Sequence, residues 1–170
     1  MAITHYGTIA GADAYALAIG NTFWGPLTDE AKTAALVRAS AFVDSYSKRP
    51  IGDGKCWWAF MGDRTGGWAQ MRQWPRHGIT DLPDNLIPDA IEYATYEAAF
   101  REAENPGALL PDVSKSALVK REKVDVLEVE YAVDSETGTA SMLPTISAVE
   151  ALLAQFLVRR CTNSFYIATV

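Results

Sequence analysis

The sequence predicts a mainly α fold: a small helical bundle with a protruding β-hairpin and an extended C-terminal arm. Three observations predict it. Apolar residues recur at helical spacing in several long stretches, a segment near residue 130 alternates apolar with acidic residues, and residues 159–170 carry no pattern that folds alone.

Gly11-Ala12-Asp13 leads into a short helix over Ala14–Ile19, which Gly20-Asn21 stops. Thr28 is a good N-cap for a longer helix over Asp29–Tyr46, and Asp29 and Glu30 complement the positive end of its dipole. Ala35, Ala39, Phe42, Val43 and Tyr46 form its apolar stripe. Pro88 stands at the first turn of a third helix, Asp89–Glu104, where its missing N–H costs nothing, and Asn105-Pro106-Gly107 ends it. This helix has Ile87, Ile91, Ala94 and Ala98 on one side and Tyr93, Tyr96 and Phe100 on another. Two apolar faces predict a central helix, with core on one side and a neighbour on the other.

Between the second and third helices, Ser47–Leu86 is rich in Gly, Trp and Arg and has no sustained period. It is too long for an inert loop, so it should contain short strands or carry function. Leu118–Val124 and Leu127–Val133 read as two strands joined by a tight turn near Asp125-Val126. The second strand alternates, with Leu127, Val129, Tyr131 and Val133 to one side and Glu128 and Glu130 to the other. Asp134–Ser141 is a polar linker. Pro144–Leu157 reads as the last helix, its apolar face made by Ile146, Val149, Leu152, Leu153 and Phe156. Residues 1–158 thus form one helical domain and 159–170 an arm.

A chain of 170 residues, 49% hydrophobic, suits one domain. At this size folding buries about 70% of the unfolded surface, so neither metal nor disulfide is required for a core. The two cysteines, Cys56 and Cys161, match no metal-ligand spacing and read as free thiols. Met1–His5 lacks the basic and apolar regions of an export signal, and no apolar run approaches bilayer length, so the expected product is soluble and cytoplasmic when made. The net charge of −6 opposes general, sequence-independent DNA binding, which depends on Lys and Arg neutralising phosphates.

Groups for catalysis are scarce. His5 and His77 stand without recognisable partners, and neither cysteine has a residue placed to activate it. Gly62-Asp63-Arg64-Thr65-Gly66-Gly67 lacks the Gly-Lys-Ser/Thr ending of a phosphate loop. The paired acids Glu128 and Glu130 read as a solvated strand face. We expect no catalytic residues, no metal and no cofactor.

Nucleic-acid binding has a better claim. Lys48–Arg76 holds Lys48, Arg49, Lys55, Arg64, Arg72 and Arg76 against Asp53 and Asp63, interleaved with Trp57, Trp58, Trp68 and Trp74. Cations for phosphates and rings for bases make a single-strand binder. Arg49, Trp57, Trp58, Arg64, Arg72 and Trp74 would be the contacts. The competing and stronger reading is that these tryptophans pack an irregular region, or meet another protein, with arginines at the rim. In the arm, Arg159-Arg160 precedes Phe165-Tyr166-Ile167-Ala168-Thr169-Val170, whose apolar, β-prone residues would be a liability unless covered. Docking on a partner, by strand addition or by rings entering pockets, is the expectation.

Three segments together carry a resemblance: Tyr6-Gly7-Thr8-Ile9-Ala10-Gly11-Ala12-Asp13-Ala14-Tyr15, Ala94-Thr95-Tyr96-Glu97-Ala98-Ala99, and Val119-Lys120-Arg121-Glu122-Lys123-Val124 running into Leu127-Glu128-Val129-Glu130-Tyr131. The pattern, covering most of Tyr6 to Leu157, resembles phage and prophage proteins known as DnaT-like single-stranded DNA-binding proteins. Its hairpin also looks like that of the head–tail connector (adaptor) proteins of long-tailed phages. Asp125 stands at the hairpin turn where such relatives have glycine, and the arm matches no motif.

The connector resemblance implies a structural protein of the virion neck and not an enzyme. It would form a ring, expected to be dodecameric, beneath the portal protein and join the DNA-filled head to the tail or next neck protein. The arm (Arg159, Arg160, Phe165, Tyr166, Ile167) would bind the portal. The hairpin (Lys120, Arg121, Lys123, Glu128, Glu130, Tyr131) would meet a neighbouring subunit or the next connector, stopper or tail-terminator protein. Genomic DNA would pass through the lumen without sequence-specific contact, which suits an acidic chain, and no membrane is involved. The other resemblance implies a single-stranded DNA-binding protein using region 48–76. The acidic balance favours the connector.

Overall fold

A computed structural model describes residues 4–52, 55–110, 121–124, 127–130 and 143–162. Four helices, α1 (Ile9–Ile19), α2 (Asp29–Ser45), α3 (Asp89–Glu104) and α4 (Ser147–Leu153), pack with α3 at the centre, touching each of the others. The strands are β1 (Pro50–Ile51), β2 (Cys56–Phe60), β3 (Asp63–Arg64), β4 (Arg76–His77), β5 (Arg121–Val124), β6 (Leu127–Glu130) and β7 (Leu157–Cys161).

This corrects the mainly α expectation. The fold is mixed α/β, because β1, β2 and β7 form an antiparallel sheet in the order β1-β2-β7, beside a two-stranded β3–β4 sheet. The region without periodicity therefore does contain strands, but three of them are two residues long, below the length at which alternation shows. The last helix is also shorter than expected. After Leu153 the chain tightens into a 3₁₀ turn, Ala154–Phe156, and becomes β7, so Leu157 begins a strand where the sequence predicts a helix end. The sequence of β7, Leu-Val-Arg-Arg-Cys, has no apolar alternation to announce it.

Local chemistry explains the helix limits. Thr8 caps α1 by accepting from the Gly11 amide at 3.0 Å, so the helix begins five residues before the predicted Ala14. Gly11 lowers helix propensity, yet a Cβ there would lie 2.5 Å from the Tyr96 hydroxyl oxygen. Gly7 (φ +70°) is open to the same ring, and the Tyr96 hydroxyl accepts from the Thr8 amide at 3.1 Å. Thr28 caps α2 through the Ala31 amide at 3.3 Å, and Ala35, Ala39, Phe42, Val43 and Tyr46 are all buried.

The aromatic side of α3 faces the chain itself. Tyr15 of α1 stacks on Tyr93 at 4.9 Å and lies within 6.2 Å of Phe100. The neighbour expected on this face is thus α1. Glu102, 1% exposed, closes the other end of α3: it pairs with Arg38 and accepts from the Gly107 and Leu109 amides. Those bonds compensate the cost of burying its charge. The sheet joins the bundle through Trp74, whose ring meets Phe60 at 5.7 Å and Phe156 at 5.1 Å, both edge-on.

The β5–β6 hairpin forms its own two-stranded sheet, in which the register sets Arg121 opposite Glu130 and Lys123 opposite Glu128. Lys120, Tyr131, the turn at 125–126 and the outer ends of both predicted strands lie outside the described residues. No helix among the described residues is long and apolar enough to cross a membrane.

Candidate nucleic-acid interface

The antiparallel register of β2 and β7 sets Trp57 opposite Arg160 and Trp58 opposite Arg159. Opposed residues share a face and consecutive ones alternate, so Trp58 with Arg159 lies on one face and Trp57 with Arg160 on the other. Sequence reasoning assigned these four residues to two different jobs, the tryptophans to nucleic acid and the arginines to the portal. The sheet makes them one ribbon. Both arginines are exposed, Trp58 is 38% exposed and Trp57 is half-buried.

A third tryptophan ring projects nearby in sequence. Trp68 sits on the 3₁₀ turn Gly67–Ala69 and is 96% exposed, with the Arg64 guanidinium 5.5 Å from its ring centroid. Arg64 is held by donating to the Gln70 carbonyl at 3.0 Å. A groove of about 380 Å³ opens beside β7, lined in part by Ile79, Thr80, Val158 and Arg160. Among the described residues Arg160 has no carboxylate within ion-pair distance.

Other members of the Trp/Arg-rich region are structural. Trp74 is fully buried and Arg72 is 7% exposed. Arg72 donates to the Thr4 and Val37 carbonyls and pairs with Asp44 at 3.3 Å. The Tyr6 hydroxyl donates to Asp44 and accepts from the Trp74 amide at 3.1 Å, so α2, the N-terminal segment and the loop before β4 meet at one knot. Burial pushes the Asp44 carboxyl above its ordinary value, against the Tyr6, Gln73 and Arg72 bonds. Arg76 is likewise inside, donating to the Met61 and Gly62 carbonyls at 2.6 Å, and desolvation lowers its pKa. Arg49 lies 3.5 Å over the Tyr46 ring and 5.0 Å from Phe42, half-buried.

Residues 4–170 match the model of a protein family described as "Putative DnaT-like ssDNA binding protein". The chain belongs to that family. No curated protein and no solved structure matches. The family's description accords with one of the two resemblances read from the sequence, and these comparisons give no support to the head–tail connector identity.

Of the six residues first considered for nucleic acid, the fold leaves Trp57, Trp58 and Arg64 at the surface and commits Arg72 and Trp74 to the core, with Arg49 against α2. Of the arm residues, Arg159 and Arg160 belong to β7, while Phe165, Tyr166 and Ile167 lie outside the described residues. Two features were missed. Trp68 is counted among the interleaved tryptophans but not among the expected contacts, although Gly66-Gly67 before it marks a turn tip. Cys56 and Cys161 are not free thiols: they face each other across β2 and β7 and form a disulfide. Their separation of 105 residues left no local signal, since only the sheet register brings them together. Among the described residues no group of three His, Cys, Asp or Glu side chains could hold a metal ion.

Proposed function

We propose that the chain binds single-stranded DNA through the β2–β7 ribbon and the adjoining Trp68 turn. One observation carries this reading: the register that places Trp57 and Trp58 opposite Arg160 and Arg159 at the surface. Rings take stacked bases and guanidinium groups take phosphates, a combination indifferent to sequence. β7 ends the order β1-β2-β7, so a strand of DNA can cross at a sheet edge. The net charge of −6 is not an obstacle to a local patch, but it predicts modest affinity and strong dependence on salt. Three arginines, Arg64, Arg159 and Arg160, would neutralise about three phosphates, which gives a log–log salt slope of about −2.

Titration with an oligothymidylate of about 20 nucleotides, followed by tryptophan fluorescence, tests this. The expected result is saturable quenching that salt reverses. No quenching and no mobility shift at low salt would sink the reading.

A second reading has the hairpin in its favour. Among the described residues this two-stranded sheet pairs with no other strand, which suits an assembly contact, so a structural neck subunit forming a ring beneath a portal protein is the alternative. The hairpin that carries Arg121, Lys123, Glu128 and Glu130 would then meet a neighbour. Probing purified virions for the chain separates the two: a stoichiometric ring at the neck favours the connector, and absence favours the DNA-binding reading.

A further inference from the structure

The disulfide lies where it can be opened from one side. Cys161 is exposed on the edge strand β7, whereas Cys56 in the middle strand is only 6% exposed. Arg159 is the diagonal neighbour of Cys56 on the same face, and its Nη2 stands 3.1 Å from the Cys56 sulfur. A thiol attacks a disulfide along an open approach, and exchange is faster when the departing sulfur is stabilised as thiolate. Access selects Cys161 as the sulfur attacked. The guanidinium selects Cys56 as the sulfur that leaves.

We propose that Cys56–Cys161 is a thiol–disulfide exchange site whose substrate is a dithiol reductant and whose point of attack is Cys161. A thiolate of the dithiol bonds to the Cys161 sulfur, the Cys56–Cys161 bond breaks, and its electron pair stays on Cys56 as a thiolate beside Arg159. The second thiol of the reductant loses its proton and attacks the first, forming the reductant's own disulfide and releasing Cys161 as thiolate. Two electrons pass from the dithiol to the protein, and two protons complete the balance when both cysteines become thiols.

The consequence is local. The backbone ladder still pairs β7 with β2, and the Thr162 amide still reaches the Lys55 carbonyl at 3.0 Å. What is lost is the covalent tie between β2 and β7. Exchange would thus set how firmly the edge strand β7 is held to β2, whether or not the ribbon binds DNA.

The full chain, air-oxidised and never reduced, is first alkylated to count free thiols; none is expected, and two would overturn the proposal. It is then exposed briefly to reduced glutathione, quenched in acid and mapped by peptide mass spectrometry. Glutathione on Cys161 is the expected adduct, and glutathione on Cys56 overturns the assigned direction. Finally, reduction by dithiothreitol at neutral pH is timed in wild type, Arg159→Ala and Arg159→Lys. Alanine should slow it about three- to tenfold, with lysine in between. Equal rates in all three remove Arg159 from the site.

Discussion

Arg72 and Trp74 sit four to ten residues from Arg64 and Trp68 in the same Gly-rich stretch, and the two pairs have opposite fates. Trp74 is sealed between Phe60 and Phe156, and Arg72 spends its guanidinium on two backbone carbonyls and Asp44. Trp68 stands 96% exposed under the Arg64 guanidinium. Equal composition therefore does not mean equal function. A buried arginine is worth keeping because it satisfies carbonyls that a strand-poor loop leaves unpaired. The exposed Trp68 ring adds nothing to the core: it keeps the Arg64 guanidinium beside it and the rest of its surface open to solvent.

Truncating Trp74 should produce the largest effect. Trp74→Ala empties the junction between sheet and bundle and is expected to cost about 3–5 kcal/mol, read as a drop in the urea midpoint. The same change at Trp68 should leave stability within about 0.5 kcal/mol. A large loss of stability in Trp68→Ala would mean that its ring packs in solution and would collapse the contrast.

Binding should reverse that ranking. Trp68→Ala and Trp58→Ala are each expected to weaken oligothymidylate binding by about 1–3 kcal/mol, the value of a stacked base. Arg160→Ala should weaken it less at moderate salt and flatten the salt slope by about 0.7, one phosphate's share. If Trp68→Ala binds like wild type while Trp58→Ala does not, the interface contracts to the β2–β7 ribbon alone.

How much of this was legible in the sequence depends on the range of the interaction concerned. The Thr28 cap, the stripe from Ala35 to Tyr46 and both limits of α3 are local patterns, and they stand as read. The strands at Asp63–Arg64 and Arg76–His77 are too short to have a period, and β7 follows a helix without a turn residue between. The interface itself is a matter of register. Trp58 and Arg159 are about a hundred positions apart, so nothing in the sequence of either segment names the other. The buried arginines mislead for a different reason: charged residues are almost never fully buried unless paired, so a sequence reading places them outside. Their partners, the Thr4, Met61 and Gly62 carbonyls, are backbone groups that composition does not display.

The smallest expected effect asks whether the buried arginine gains from its acid. Asp44 pairs with Arg72, yet burial holds its carboxyl above the ordinary value, so desolvation outweighs the pairing. A carboxyl whose folded pKa is raised favours the protonated folded state. Its stabilising contribution is complete below the unfolded value of about 4 and fades as pH rises through the folded pKa. Asp44→Asn is uncharged throughout and lacks this dependence. The stability of wild type minus that of Asp44→Asn, measured by urea unfolding from acid to neutral pH, should therefore fall as pH rises above about 4. A difference that instead climbs with pH would show that the Arg72 pair overcomes burial. The buried guanidinium would then be held by charge as well as by backbone carbonyls, and its contrast with the half-buried Arg64 would rest on electrostatics as well as on satisfied hydrogen bonds.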